Sequence, residues 1–345
     1  MRSYAINLVA SFILLLSPGP SVAEPVADFY KGKQISLYIG TEVGGGYDVY
    51  GRIVARHLGR HIPGNPAIVV RNMPGAGSLT MGNFIANVGP KDGTAIAAPQ
   101  SSLAVEGLLH LASRGGKAAN FDATKLNWIG NAAQDVFVLF AWHAAKAKSI
   151  ADLTTTELAL GAAGPNTDGA LVAATLNNVL GTKIKLVTGY QSSTAHMLAM
   201  ERGELDAAAL AYTSLSTMRP DWIRDEKVRL LVQCGVNPHP DLKHVPFVLD
   251  LVKTAQDREV LELIFSKYQV GRPYFVAPGV PTDRVEALRK AFDDVMKDPE
   301  LLADSRQSRV EISPISGAEV QAMVEKLYRS PQPLILRARA ILGTQ

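Results

Sequence analysis

Ile35-Ser36-Leu37-Tyr38-Ile39, then Gly44-Gly45-Gly46-Tyr47-Asp48, then Tyr50-Gly51-Arg52-Ile53-Val54 read in order as an apolar run, a glycine turn and an amphipathic stretch. The pattern returns at once: Ala67-Ile68-Val69-Val70 leads into Asn72-Met73-Pro74-Gly75-Ala76-Gly77-Ser78. Strand, glycine turn and helix are the means by which an α/β protein aims free backbone N–H groups at an anion. Glycine reaches positive φ without strain, and the lack of a side chain lets a ligand approach the backbone.

Working outward, short apolar runs alternate with helical patterns over most of the chain. Strands are expected at Gln34–Ile39, Ala67–Arg71, Thr94–Ala98, Trp128–Gly130, Val136–Ala141, Leu158–Gly161, Lys183–Thr188, Ala207–Leu210, Val228–Cys234 and Tyr274–Ala277. Helices are expected at Asp48–His61, Leu79–Asn87, Asp168–Leu180, Ser193–Arg202, Thr282–Lys297 and Gly317–Tyr328. Such alternation argues for α/β layers with largely parallel sheets. A chain crossing between two bodies near residue 137 and returning near 234 gives a discontinuous domain 1 (24–137 and 235–345) and an inserted domain 2 (138–234). Glycine turns in both place a ligand cleft between the domains.

Residues 1–23 read as an export signal, cleaved after Ala23. Arg2 supplies the positive end, Ala5 to Leu16 a 12-residue apolar core, and Ser21-Val22-Ala23 a small-x-small cleavage site. That core is short of the roughly 18 residues that span a membrane. The single cysteine, Cys234, lies far downstream, so no lipid anchor is expected at the cleavage site, and a freely diffusing periplasmic protein follows. Lys plus Arg is 35 and Asp plus Glu 32, a balance that speaks against a nucleic-acid partner. Cys234 sits in the run Leu230-Leu231-Val232-Gln233-Cys234 and reads as a small buried hydrophobe.

Two further turns follow strands: Gly161-Ala162-Ala163-Gly164-Pro165-Asn166-Thr167-Asp168-Gly169 and Tyr190-Gln191-Ser192-Ser193-Thr194. Each holds helix-cap residues, as does Ser78 at the end of the second turn. For Asp48, a helix cap and a ligand contact both stay open. Any one of the four turns is explained as a plain connection; four polar turns after strands argue for a binding cleft. Catalytic signatures are missing: no G-x-S-x-G, H-E-x-x-H or paired C-x-x-C occurs. His57 and His61 stand four apart, but on a basic helix (Arg56, Arg60) with no third ligand nearby, so no metal is expected. The four loops contain no lysine or arginine. Arg272, just before the strand Tyr274–Ala277, is the cation expected to meet a carboxylate; pairing with a neighbouring acid is the alternative.

With these residues in place, the chain resembles the receptors of tripartite tricarboxylate transporters, the Bug-type periplasmic substrate-binding proteins. The resemblance rests on Phe29-Tyr30-Lys31-Gly32-Lys33, Gly44–Asp48 with Arg52, Gly64-Asn65-Pro66, Val69–Ser78, Pro90-Lys91-Asp92-Gly93-Thr94, Gly203-Glu204-Leu205-Asp206-Ala207 and Tyr274–Pro281. These run in family order over essentially the whole mature chain. The resemblance implies an α/β fold of two domains, a type-2 periplasmic-binding-protein clamp, and a small carboxylate pinched between them. It implies a non-enzymatic, monomeric protein with no cofactor that delivers an organic acid to membrane permease subunits; presentation to a sensor system is the alternative. Carried over by position, the ligand-binding residues are Gly44, Gly45, Gly46, Tyr47 and Asp48; Gly75, Ala76, Gly77 and Ser78; Gly164, Asn166, Thr167 and Asp168; and Tyr190, Gln191 and Ser192. Two departures stand out. Glu42-Val43 replaces a proline that often precedes the first glycines, and the third loop reads Pro165-Asn166-Thr167-Asp168 where a Gly-Ser pair is common. Glu42 and Asp168 thus put negative charge beside an expected anion.

Overall fold

The computed structural model describes residues 25–111, 113, 118–165 and 167–344. The export signal read at 1–23 and the candidate Asn166 lie outside the described residues. Eleven strands form two sheets among them. β1 (Gln34–Ile39), β2 (Ala67–Asn72), β3 (Ala95–Ala98), β4 (Asn127–Asn131), β10 (Pro273–Val276) and β11 (Ile315–Ser316) make a six-stranded sheet ordered β11-β4-β10-β3-β1-β2. β5 (Phe137–Trp142), β6 (Leu158–Ala162), β7 (Ile184–Thr188), β8 (Ala207–Ala211) and β9 (Val228–Cys234) make a five-stranded sheet ordered β7-β6-β8-β5-β9.

The patterning explains the layers. Along β1 every second residue, Ile35, Leu37 and Ile39, is wholly buried. The central strands β3 and β8, Ala-Ile-Ala-Ala and Ala-Ala-Ala-Leu-Ala, are buried on both faces, as strands with helices above and below must be. Small side chains there let the covering helices approach closely. The expected largely parallel pairing needs correction, because both sheets are mixed. β1 runs parallel to β2 and β3, and β6 parallel to β7 and β8, but β10 runs against β3 and β4, and β5 against β8 and β9. Two of the antiparallel strands are those on which the chain enters a sheet from the other body, β5 directly after β4 and β10 after the segment following β9; the third is the short edge strand β11, which runs against β4.

Three apolar cores pack on the sheets, one on the six-stranded sheet and one on each face of the five-stranded sheet. Phe292 packs so closely on β4 that a Cβ at Gly130 would stand 2.1 Å from its ring. Helices Ala255–Phe265 and Gln332–Leu342 contribute Val260, Leu261, Ile335, Ala338 and Leu342 to one core of the five-stranded body. The last third of the chain therefore helps to build that core, although the expected division gives all of 235–345 to the first domain. Cys234 is buried in that core, and burial pushes its thiol well up from its ordinary range. Among the described residues no helix is long and apolar enough to cross a membrane.

Candidate functional site

Helices of nine or more residues follow the carboxyl ends of β1, β2, β6 and β7, and the turns that lead into them meet at one cavity of about 170 Å³ between the two bodies. The helices are Gly46–Leu58 and Leu79–Asn87 from the six-stranded body, and Asp168–Leu180 and Ser193–Glu201 from the five-stranded one. A helix N-terminus leaves backbone N–H groups without intrahelical partners and carries roughly half a positive charge; at Leu79–Asn87 the first two of these bond back to the Ala76 and Gly75 carbonyls, so that helix meets the cavity only through its turn.

The first turn brings Gly45, Gly46 and Tyr47 to the cavity wall. Gly46 leaves room for the five-stranded body: a Cβ there would lie 2.0 Å from Ser214 Oγ and 3.0 Å from its Cβ, so Ser214 would have to move. Gly44 and Asp48 do not line the wall. Asp48 instead builds the loop, accepting from Gly44 N at 3.0 Å, Arg52 Nε at 2.9 Å and Asn72 Nδ2 at 2.8 Å. Burial pushes its carboxyl up, but these bonds outweigh it and hold it below the usual range. Its role is structural but is not the helix cap left open above: the N-cap is Gly45, no side chain caps this helix, and Asp48 ties the loop together instead.

In the second turn Gly75, Ala76, Gly77 and Ser78 all have positive φ, at 132°, 48°, 66° and 72°. This left-handed run exposes Gly75, Ala76 and Gly77 to the cavity. Ser78 is fully buried and caps nothing with its side chain, contrary to the expectation for a serine at a helix start. Its Oγ donates to Gly40 O at 2.9 Å and accepts from Gln100 N at 2.9 Å, so it ties the ends of β1 and β3 to the turn.

From the five-stranded body, Gly164, Thr167, Asp168, Gln191 and Ser192 line the cavity. Ser192 Oγ caps its helix through Ala195 N at 3.2 Å, whereas Thr167 Oγ1 donates to Gly164 O at 2.8 Å. Tyr190 points elsewhere: its hydroxyl reaches Glu204 Oε2 at 3.4 Å and it is not on the wall. Its carbonyl accepts from His196 Nε2 at 3.0 Å. His196 does line the cavity, and burial lowers its pKa to about 4, so the ring is neutral at ordinary pH.

Two buried ion pairs stand behind the wall. Asp168 accepts from Lys267 Nζ at 2.6 Å, and Tyr47 Oη lies 3.3 Å from its other oxygen. Arg272 is 2% exposed and does not line the cavity, which corrects the expectation that it faces the cleft. Its Nη2 donates to Asp135 Oδ2 at 3.0 Å, Thr213 Oγ1 at 3.0 Å and Ser214 Oγ at 3.2 Å. Its guanidinium also stacks on the rings of Tyr47 and Tyr50, 4.5 and 4.8 Å from their centres. Burial pushes the Asp135 carboxyl up, and Arg272 opposes that shift. A buried acid next to the joint captures the arginine before any ligand can.

Residues that the turns do not announce complete the wall. Phe137 of β5, Ala162 and Ala163, and Ala209, Leu210 and Ala211 at the end of β8 give it an apolar floor. Thr41, Gln100, Ser193 and Ser214 add polar groups. No lysine or arginine lines it among the described residues. His57 and His61 pair with Asp304 and Asp298 in partly buried bonds, and among the described residues no three potential ligands gather around a metal position.

No family model and no curated protein matches this sequence. Solved structures do. The periplasmic binding protein BugD superimposes with a TM-score of 0.71 at 17% identity, over 92% of this chain and 99% of its own. MatC from Rhodopseudomonas palustris, with bound malate, gives 0.68 at 15%, over 90% and 99%. A second R. palustris protein, with adipate, gives 0.67 at 18%, over 90% and 97%. The chain has the fold of a periplasmic binding protein. In that fold the cavity described above is the space between the two α/β bodies, reached by turns from both.

Proposed function

We propose that this protein is a periplasmic solute-binding protein of the tripartite tricarboxylate type, which captures a small organic acid and hands it to membrane permease subunits. One observation carries the reading. Four strand-to-helix turns, two from each body, meet at one small cavity, three of them with the helix start itself on the wall, and among the described residues no catalytic constellation accompanies them. Backbone donors of this kind stabilise a carboxylate without a side-chain cation. The bound malate and adipate of the two R. palustris structures support an acid as ligand. The export signal read at 1–23 supports a periplasmic address, with two lobes built on the two sheets and the ligand between them. Gly45, Gly46, Tyr47, Gly75, Ala76, Gly77, Gly164, Thr167, Asp168, Gln191 and Ser192 are the residues we assign to ligand contact. Gly44, Asp48, Ser78, Tyr190 and Arg272 act behind them.

A thermal-shift screen of the mature chain against organic acids tests this reading. A bound acid at about 100 times its dissociation constant stabilises the fold by roughly 2.7 kcal/mol. A full panel of mono-, di- and tricarboxylates and amino acids with no shift contradicts it.

A further inference from the structure

The helix N-termini suit an anion, yet the charged side chains of the cavity have the sign of the anion itself. Glu42 and Asp168 are the only acidic or basic ones among the described lining residues, the neutral His196 aside. Asp168 is a built acceptor: it is 5% exposed, with one oxygen fixed by Lys267 and the other beside Tyr47 Oη. A carboxylate has about four accepting positions, so each oxygen keeps one for a ligand. Glu42 is exposed and forms no ion pair or hydrogen bond with another described side chain. His196 adds a third acceptor. Its Nε2–H donates to the Tyr190 carbonyl, which leaves the lone pair on Nδ1, and that buried nitrogen has no partner. A wall that offers buried acceptors and no cation is left unsatisfied by a plain carboxylate, which brings acceptors only.

We propose that the ligand is an organic acid that also carries a protonated amine, with its carboxylate at the helix N-termini and its ammonium toward Asp168 and Glu42. This rests on the organic-acid reading and names the class within it. An ammonium group supplies three donors and a positive charge for Glu42, and it can also fill the accepting positions that Lys267 leaves free on Asp168, so both acids become partners in charge-assisted bonds. Asp168 then acts as the residue that sets specificity, with Lys267 and Tyr47 as the groups that aim it.

Calorimetry at neutral pH with acids that differ only in the amine tests this: aspartate against succinate, glutamate against glutarate, phenylalanine against 3-phenylpropionate. The amine-bearing member of a binding pair should be tighter by about tenfold or more. Glu42→Gln, at an exposed position that tolerates the change, should narrow that gap, and Asp168→Asn should largely remove it. Asp168→Asn leaves Lys267 without its carboxylate, so its fold is checked by circular dichroism; Glu42→Gln decides the matter if it unfolds. Succinate or glutarate binding as tightly as its amine partner overturns the proposal. So does malate matching aspartate, because a neutral donor then suffices, and so does a gap that survives Glu42→Gln unchanged. Binding by none of these acids while another plain carboxylate of the screen binds also overturns the proposal; binding by no acid of the full panel overturns instead the organic-acid reading beneath it.

Discussion

Arg272 and Asp135 are 137 positions apart in the chain and in contact in the fold, both nearly free of solvent. Attraction at 3.0 Å offsets part of the cost of taking both charges out of water, and Thr213, Ser214 and the Val136 backbone N–H bond to the pair, while the arginine Nε is left buried without a partner. A pair of this kind is sensitive to the loss of one member, since the other is left buried and unmatched. Arg272→Gln should therefore cost roughly 3 kcal/mol or more and lower the melting temperature by about 5 °C or more. Differential scanning calorimetry checks it; an unchanged midpoint would mean that the guanidinium contributes little to stability. The pairing was invisible in the sequence, where Arg272 stands beside no acid and Asp135 beside no base. His196 was equally silent, as one of several scattered histidines. What did show was the glycine content of the turns, because backbone that must reach positive φ restricts residue choice.

Between elements, the helix Gly46–Leu58 and its 3₁₀ extension are fastened to the helix Pro299–Gln307 by two carboxylates. Asp298 caps the second helix through Glu300 N at 2.8 Å and also takes Arg60 and, at 2.6 Å, His61 Nε2. Asp304 takes Arg56 Nη2 at 2.7 Å and His57 at 3.0 Å. Burial pushes both carboxyls up, yet the histidine and arginine bonds outweigh it and hold both below the usual range. The unfolded chain takes up these protons near pH 4 and the folded one only below that. Their contribution is thus complete above about pH 5 and lost as the pH falls through 4 and lower. Asp298→Asn, which keeps a capping oxygen, should lower stability at pH 7 by about 1 kcal/mol and flatten its decline between pH 5 and 3. Urea titrations at both ends of that range measure this; equal losses in the variant and the parent would remove the clamp from the account. Ten strands of the fold were legible because buried strands are continuous apolar runs bounded by turns. β11, two residues long, carries no such signal. Nor does a helix's pattern say which sheet it covers, which is why Ala255–Phe265 and Gln332–Leu342 come to lie on the five-stranded body.

Across the molecule, the two bodies are joined behind the cavity by Arg272 with Thr213 and Ser214 and by Thr217 with Arg309 O, and they also meet at the cavity itself. Tyr47 reaches Asp168, Thr194 Oγ1 lies 3.4 Å from Gly44 O, and Gly46 abuts Ser214. Everything between these contacts is lined by turns and by the apolar floor of β5 and β8, so a ligand held there touches both bodies at once. Gly45 offers the cleanest probe of that claim. It is the N-cap of Gly46–Leu58, has ordinary φ of −88°, lines the cavity, and a Cβ on it meets nothing within 4 Å. Gly45→Val therefore fits the fold while its side chain takes up space meant for a ligand. Calorimetric titration of an acid found by the screen, into the parent and into Gly45→Val, is the most direct test. The account predicts one site per chain in the parent and a loss of affinity of about a hundredfold or more in a variant that remains folded. Undiminished binding to folded Gly45→Val would place the ligand outside this cavity and contradict it.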